Sequence, residues 1–347
     1  MYTFEVINGI PSEALCYSSL DFNLLLPPRV HHFYFIIPGN PGSAGFYEPF
    51  AEILYRQLLE VHQDGILHVR CLSHANHHFP SSFNSMVESR HFGLEAQIFH
   101  HLDYMVSVIK YFKKQYWINL ADLKVHLVGH SIGSYIALEV LNRSSLLRRL
   151  CSSIVLLMPF ILWRNIPTSH KRNLRIGKFF APVVKSSASF MARAFKFLPR
   201  AVRRSMLRLP ILPHGGVSHL LINELMTPRL VGNFFSMGVD EVSAISTQDE
   251  HVLSTLKSIV EDRINLLSVY TNDDVWAPEL DLAEVLRATR NIPRKHCLVE
   301  TVIEKNMSHA FVLDLRAAGI VADIVVRHVV SSTCRTSRAK PSIRSSL

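Results

Sequence analysis

The chain has 347 residues, 48% hydrophobic and 19% charged, a balance that describes a globular core and excludes disorder over most of its length as well as collagen-like repeats. Five scattered cysteines, Cys16, Cys71, Cys151, Cys297 and Cys334, exclude a disulfide framework and lack zinc-type spacing, a pattern expected of reduced thiols in a reducing compartment. The formal net charge of +9 admits a nucleic-acid or anionic-membrane partner, so the placement of the charge decides.

The N-terminus, Met1 to Ile7, lacks the basic and apolar regions of a secretory signal, and an intracellular protein is expected. His32 to Ile37 reads as a strand that ends in a forced loop, Pro38-Gly39-Asn40-Pro41-Gly42. Phe46, Phe50, Ile53, Leu54 and Leu58 then recur at helical spacing. Leu67 to Leu72 is the next strand, and Leu94, Ile98, Leu102, Met105, Ile109 and Phe112 mark a long amphipathic helix. Val125 to Val128 is a strand, Tyr135 to Leu141 a helix and Ile154 to Met158 another strand. The most apolar windows do not span a membrane: Leu24 to Pro41 is broken by Pro27, Pro28 and Arg29, and Leu150 to Trp163 is short of the roughly 18 residues required.

From Glu139 to Glu224 no acidic residue intervenes, while fifteen Lys or Arg lie between Arg143 and Arg208, leaving the rest of the chain net acidic. Charge so segregated marks a segment with its own environment. Residues 160–260 are therefore expected to form a helical basic cap inserted into a core built from 1–159 and 261–330, with 331–347 a disordered tail. Past the cap come a strand, Ile264 to Tyr270, a helix near Pro278 to Leu286, a strand, Cys297 to Ile303, and a closing helix, Phe311 to Val330. Such alternation predicts an α/β fold with a mostly parallel sheet covered by helices on both faces.

Gly129-His130-Ser131-Ile132-Gly133 places G-x-S-x-G between a predicted strand and a predicted helix, the nucleophile elbow of the α/β-hydrolase fold. A serine hydroxyl is a weak nucleophile, so it needs an imidazole base, and the base needs an acid to hold its tautomer. His309, between the last strand and the last helix, occupies the loop expected of the base, whereas His296 precedes a strand and His328 lies within a helix. No carboxylate follows Met158 until Glu224, so the acid falls in Thr271-Asn272-Asp273-Asp274. Asp274 is preferred because hydrolases of this fold commonly carry a proline four residues beyond the acid, here Pro278, and Asp273 stays as the alternative. The oxyanion hole needs two backbone donors, assigned to Ile132 and Asn40, with Gly42 next because Pro41 has no N–H. His214-Gly215-Gly216 mimics an oxyanion motif but follows the nucleophile and lies in the cap.

The clustered histidines His31, His32, His74, His77, His78, His100 and His101 carry no metal-ligand motif, and neither a metal nor another cofactor is expected. The strand from Phe35 into Pro38-Gly39-Asn40-Pro41-Gly42, with Phe46-Tyr47 and Pro49-Phe50, then Ser73-His74-Ala75, the Ser131 elbow, Asp274 with Trp276 and Pro278, and Ser308-His309-Ala310-Phe311 together resemble the lipid droplet-associated hydrolases over roughly residues 30 to 330. The resemblance implies Ser131, Asp274 and His309 as a triad, and neutral lipid esters such as sterol esters or acylglycerols as substrates at the droplet surface.

In the cap, apolar residues such as Ile176, Phe179, Phe180 and Phe190 interleave with Arg172, Arg175, Lys178 and Arg193, a pattern suited to a lipid droplet or anionic membrane surface. No RNA-binding motif accompanies the charge, and no nucleic-acid partner is expected. The expected location is the lipid droplet surface and the cytoplasm. The endoplasmic reticulum membrane surface or, from the terminal Ser345-Ser346-Leu347, the peroxisome are lesser alternatives. Rival readings are a droplet-binding scaffold with little activity and an acyltransferase on the same triad. Sequence leaves acyl-chain length and oligomeric state open.

Overall fold

The computed structural model describes residues 2–20, 30–63, 65–77, 92–178, 228–290, 292 and 297–338. Eight strands form one sheet: β1 (Tyr2–Ile7), β2 (Ile10–Ser18), β3 (His31–Ile37), β4 (Ile66–Leu72), β5 (Leu123–His130), β6 (Cys151–Leu157), β7 (Asn265–Thr271) and β8 (Val299–Glu304). Their order is β1-β2-β4-β3-β5-β6-β7-β8. Only β2 runs against its neighbours; the pairs from β4 through β8 are parallel.

β1 and β2 have no counterpart in the sequence analysis. Asn8 and Gly9 join them, both with positive φ, 50° and 80°, the backbone of a two-residue hairpin turn. Asn-Gly between apolar runs is itself the signal for such a hairpin.

Helices α1 (Glu48–Val61) and α8 (Leu315–Arg338) cover one face of the sheet, and α2 (Leu94–Gln115), α3 (Ile132–Arg143) and α6 (Asp249–Glu261) the other. The alternation of β3 explains how a continuous apolar strand serves both layers. Phe33, Phe35 and Ile37 join the cluster of α2 and α3, while Tyr34 and Ile36 join that of α1 and α8. Each such buried side chain contributes about 1.5–3 kcal/mol of transfer free energy. Further α-helices among the described residues are α4 (Ser145–Leu150), α5 (Pro228–Ile245) and α7 (Glu279–Thr289).

Of the expected cap, 179–227 lie outside the described residues, including Phe179 to Arg208 and His214-Gly215-Gly216. Within the same interval, α6 packs Val252, Leu256, Ile259 and Val260 into the cluster that holds Leu127 of β5 and Ile154 of β6, so it is a layer helix of the core. The closing helix continues past Val330, where the disordered tail was expected to begin, to Arg338, because no glycine or proline interrupts the chain before Pro341. No described helix is long and apolar enough to cross a membrane. The described cysteines form no disulfide.

Candidate active site

β5 ends at His130 and α3 begins at Ile132, and Ser131 between them takes φ 53° and ψ −123°, a region that L-residues avoid. Its backbone is held from both sides. The N–H donates to the carbonyl of Leu157 at 2.9 Å, and the carbonyl accepts from Ser134 and Phe160 at 3.0 and 3.2 Å. The two motif glycines are needed for room: a Cβ at Gly133 would run into the carbonyl oxygens of Ile37 and Pro38, and one at Gly129 into the backbone of Gly133.

His309 lies between β8 and α8, and the structure brings it to Ser131 across 178 positions of chain. Its Nε2 is 2.9 Å from Ser131 Oγ and its Nδ1 2.6 Å from Asp274 Oδ2. With the carboxylate accepting the Nδ1–H, Nε2 is left to accept the serine proton. Asp274 follows β7, and its Oδ1 accepts from the N–H groups of Trp276 and Ala277 at 2.9 and 3.2 Å. Burial pushes this carboxyl up, but the hydrogen bond and charge of His309 together with those two amides outweigh it and hold the carboxyl below the usual range. Asp273 stands apart, exposed at φ 61° with its carboxylate on Asn272. His328 is buried against Glu300, 2.5 Å away, and His296 lies outside the described residues.

Ile132 opens α3, so its N–H is one of the helix-terminal donors without an intrahelical acceptor, at the positive end of the helix dipole. In the loop after β3, Gly39 donates to the Tyr47 hydroxyl at 2.7 Å and Gly42 to the Gly39 carbonyl at 2.6 Å. With Pro41 lacking a proton, Asn40 carries the loop's remaining N–H among the described residues.

Tyr47 and His130 extend this chain in a way that spacing rules do not reveal. Because the tyrosine oxygen accepts from Gly39, its own proton goes to His130 Nδ1 at 2.6 Å. His130 then carries its proton on Nε2 and donates it to the carbonyl of His309 at 2.9 Å. Burial pushes the His130 imidazole down to about 3, so it remains neutral. One hydrogen-bonded line thus runs from the loop after β3 to the backbone of His309.

Ser131 and His309 open into a cavity of about 400 Å³ walled by Phe160, Phe234, Phe235, Val242 and Trp276, with Asn40, Asn173, Lys178 and Glu241 as polar interruptions. Its size and apolar lining suit a small-molecule site. The Trp276 ring meets Phe160 edge-on, which ties the wall to the loop that carries Asp274. Glu241 gives no sequence signal, being one of two adjacent acids, with Asp240, in an otherwise apolar helical run.

Among the described residues no three His, Cys, Asp or Glu are placed to hold a metal ion. The clustered histidines bond one another instead: His74 Nδ1 lies 2.7 Å from His101 Nε2, and His31 Nδ1 3.1 Å from His68 Nε2. His74 lies beneath the loop after β3, where Gly42 leaves no space for a side chain. His78 lies outside the described residues.

Comparison with known proteins follows the same lines. Residues 30–312 match the family described as lipid-droplet associated hydrolase. The lipid droplet-associated hydrolase of Gallus gallus is 28% identical over 81% of this chain and 80% of its own length. That of Rattus norvegicus is 27% identical over 84% of each. Among solved structures, a peroxisomal alpha-beta-hydrolase from Saccharomyces cerevisiae aligns with a TM-score of 0.59 at 12% identity, covering 93% of this chain and 82% of the other. A haloalkane dehalogenase variant from Bradyrhizobium elkanii aligns at 0.57 and 12% identity, covering 97% and 99%. At such identities these likenesses establish the fold, α/β-hydrolase, and nothing about substrate.

Proposed function

Because the chain belongs to the lipid-droplet associated hydrolase family, we propose that it is a serine esterase for neutral lipid esters, sterol esters or acylglycerols, at the lipid droplet surface. The observation that carries this reading is the unbroken line from Ser131 Oγ through the His309 imidazole to Asp274, at 2.9 and 2.6 Å.

In the proposed reaction the Ser131 oxygen attacks the ester carbonyl as its proton passes to His309 Nε2. Negative charge gathers on the former carbonyl oxygen, facing the N–H groups of Ile132 and Asn40; each such donor is worth about 10²–10³ in rate. The tetrahedral species expels the alcohol, which takes the proton from Nε2. Water, deprotonated by the same nitrogen, then releases the acid and restores Ser131. Asp274 keeps the Nδ1–H in place and stabilises the imidazolium. These steps use no cofactor.

Docking would use the basic segment near the cavity. Arg172, Arg175 and Lys178 are exposed on the helical residues 168–178 beside Ile176, which is 51% exposed, and Lys178 also lines the cavity. Cations near an anionic leaflet contribute about 1 kcal/mol each.

Labelling of the purified protein with a fluorophosphonate probe tests the nucleophile. Folded Ser131→Ala is expected to lose all labelling, and labelling undiminished in that variant would remove Ser131 from the role. Turnover of sterol esters and acylglycerols in emulsion, with and without anionic phospholipid, tests substrate and docking together.

A further inference from the structure

The cavity wall holds a buried acid that the proposed chemistry leaves unused. On α5, Phe234, Gly238 and Glu241 fall on one stripe, and that stripe faces the cavity. Glu241 is only 6% exposed. A carboxyl among Phe, Val and Trp side chains is costly unless its oxygens are hydrogen-bonded.

Here that condition is not met. Asn40 lies beside the Glu241 carboxyl and donates from Nδ2 to the carbonyl of Phe234 at 3.0 Å. That leaves Glu241 Oε1 and Asn40 Oδ1, both buried, without a partner among the described residues. Two buried oxygens without a partner among the described residues, on the wall of a cavity that Asn173 and Lys178 also line, are open to a polar group of a ligand.

Burial, reinforced by nearby Asp240, pushes the Glu241 carboxyl up to about 8, so it is uncharged at neutral pH. An uncharged carboxyl offers one donor and one acceptor, which complements a hydroxyl and gives an ammonium no partner charge. The Phe and Val side chains that line the same cavity give an acyl chain an apolar surface.

We infer that Glu241 and Asn40 form a hydroxyl-reading subsite beside Ser131, so that esters with a free hydroxyl near the scissile bond, as in partial acylglycerols, are preferred over esters of the same acid without one. The inference deepens the esterase reading and rests on it, since the subsite adjoins the proposed nucleophile. A rival role for Glu241 is to hold Asn40 in place, and that role has no substrate preference.

The test compares a 1-monoacylglycerol with the propyl ester of the same acid, and, for binding alone, a 1-O-alkylglycerol with the matched alkyl propyl ether on full-length Ser131→Ala, followed by tryptophan fluorescence. Wild type is expected to favour the hydroxylated member about tenfold or more in kcat/KM, with the same preference in binding. In Glu241→Met both ratios should fall to about 1, and in Glu241→Gln, which keeps a donor and an acceptor, most of the preference should remain. A wild-type ratio near 1 overturns the inference, and this comparison decides even where the Met variant does not fold. A ratio that survives in Glu241→Met, with kcat lowered equally on both esters, overturns it in favour of the holding role. Absence of turnover and of fluorophosphonate labelling in wild type would instead defeat the esterase reading, while the ether pair still decides whether the hydroxyl subsite exists.

Discussion

His130 donates from Nε2 to the main-chain carbonyl of His309 at 2.9 Å, so the residue that precedes Ser131 holds the backbone of His309, 179 positions later. Tyr47 completes the tie at its other end, through His130 Nδ1 and the N–H of Gly39.

Removing one oxygen should therefore disturb two loops. Tyr47→Phe leaves the Gly39 N–H and His130 Nδ1 buried without partners, at about 1–3 kcal/mol each. The expected outcome is a folded protein with a lower melting temperature and kcat reduced about 10- to 100-fold, with a smaller change in KM, since the tie positions the groups proposed to act on the transition state. Steady-state kinetics and thermal melts measure both. Unchanged kcat in Tyr47→Phe would mean that the line is structural only.

Two adjacent acids offer a direct comparison. Asp274→Asn should keep the fold and lose about 10⁴ in kcat, as expected when an amide presents the wrong partner to the imidazole. Asp273→Asn, exposed and bonded only to Asn272, should change kcat less than about twofold. Equal losses from both substitutions would contradict the assignment of Asp274.

The buried histidines make stability fall early in acid. Burial lowers His31, His62 and His100 to about 4 and His32 to about 3, all below the ordinary value near 6.5. In the folded state they stay neutral, while the unfolded chain takes up protons as pH falls through about 6.5. Their contribution is thus complete above that pH and is lost progressively between it and the folded values, at about 1.4 kcal/mol per pH unit for each proton taken up on unfolding. The depressed Asp274 carboxyl adds its own loss only below about pH 4. Denaturant titrations at pH 7.5, 6.5 and 5.5 should therefore show a steep decline over the lower interval, shallower in His62→Gln. A flat profile between pH 6.5 and 5.5 would refute the neutral histidine clusters.

Much of this arrangement is legible in the chain because local rules govern it. Gly129 and Gly133 announce a tight elbow, apolar runs announce the strands, and loop position singles out His309. Asp274 and Asp273 could be ranked only by a distant proline, because which of two neighbouring carboxyls turns inward depends on a backbone reversal, here the positive φ of Asp273. Asn8-Gly9 marks the β1–β2 hairpin, but Pro11 inside β2 and the partly exposed positions of β1 blur the strand pattern. α6 was grouped with the cap because composition cannot tell a helix above the sheet from one beside it. Tyr47, His130 and Glu241 left no periodic trace, since their partners lie on other elements.

The amide of Asn40 is hooked to the carbonyl of Phe234, 194 positions further along. The cavity-lining helix and the turn that carries Asn40 are thereby joined. A displacement of that helix making room for a bulkier guest would strain this bond and shift the N–H proposed to face the oxyanion, so roominess and catalytic power are expected to trade off.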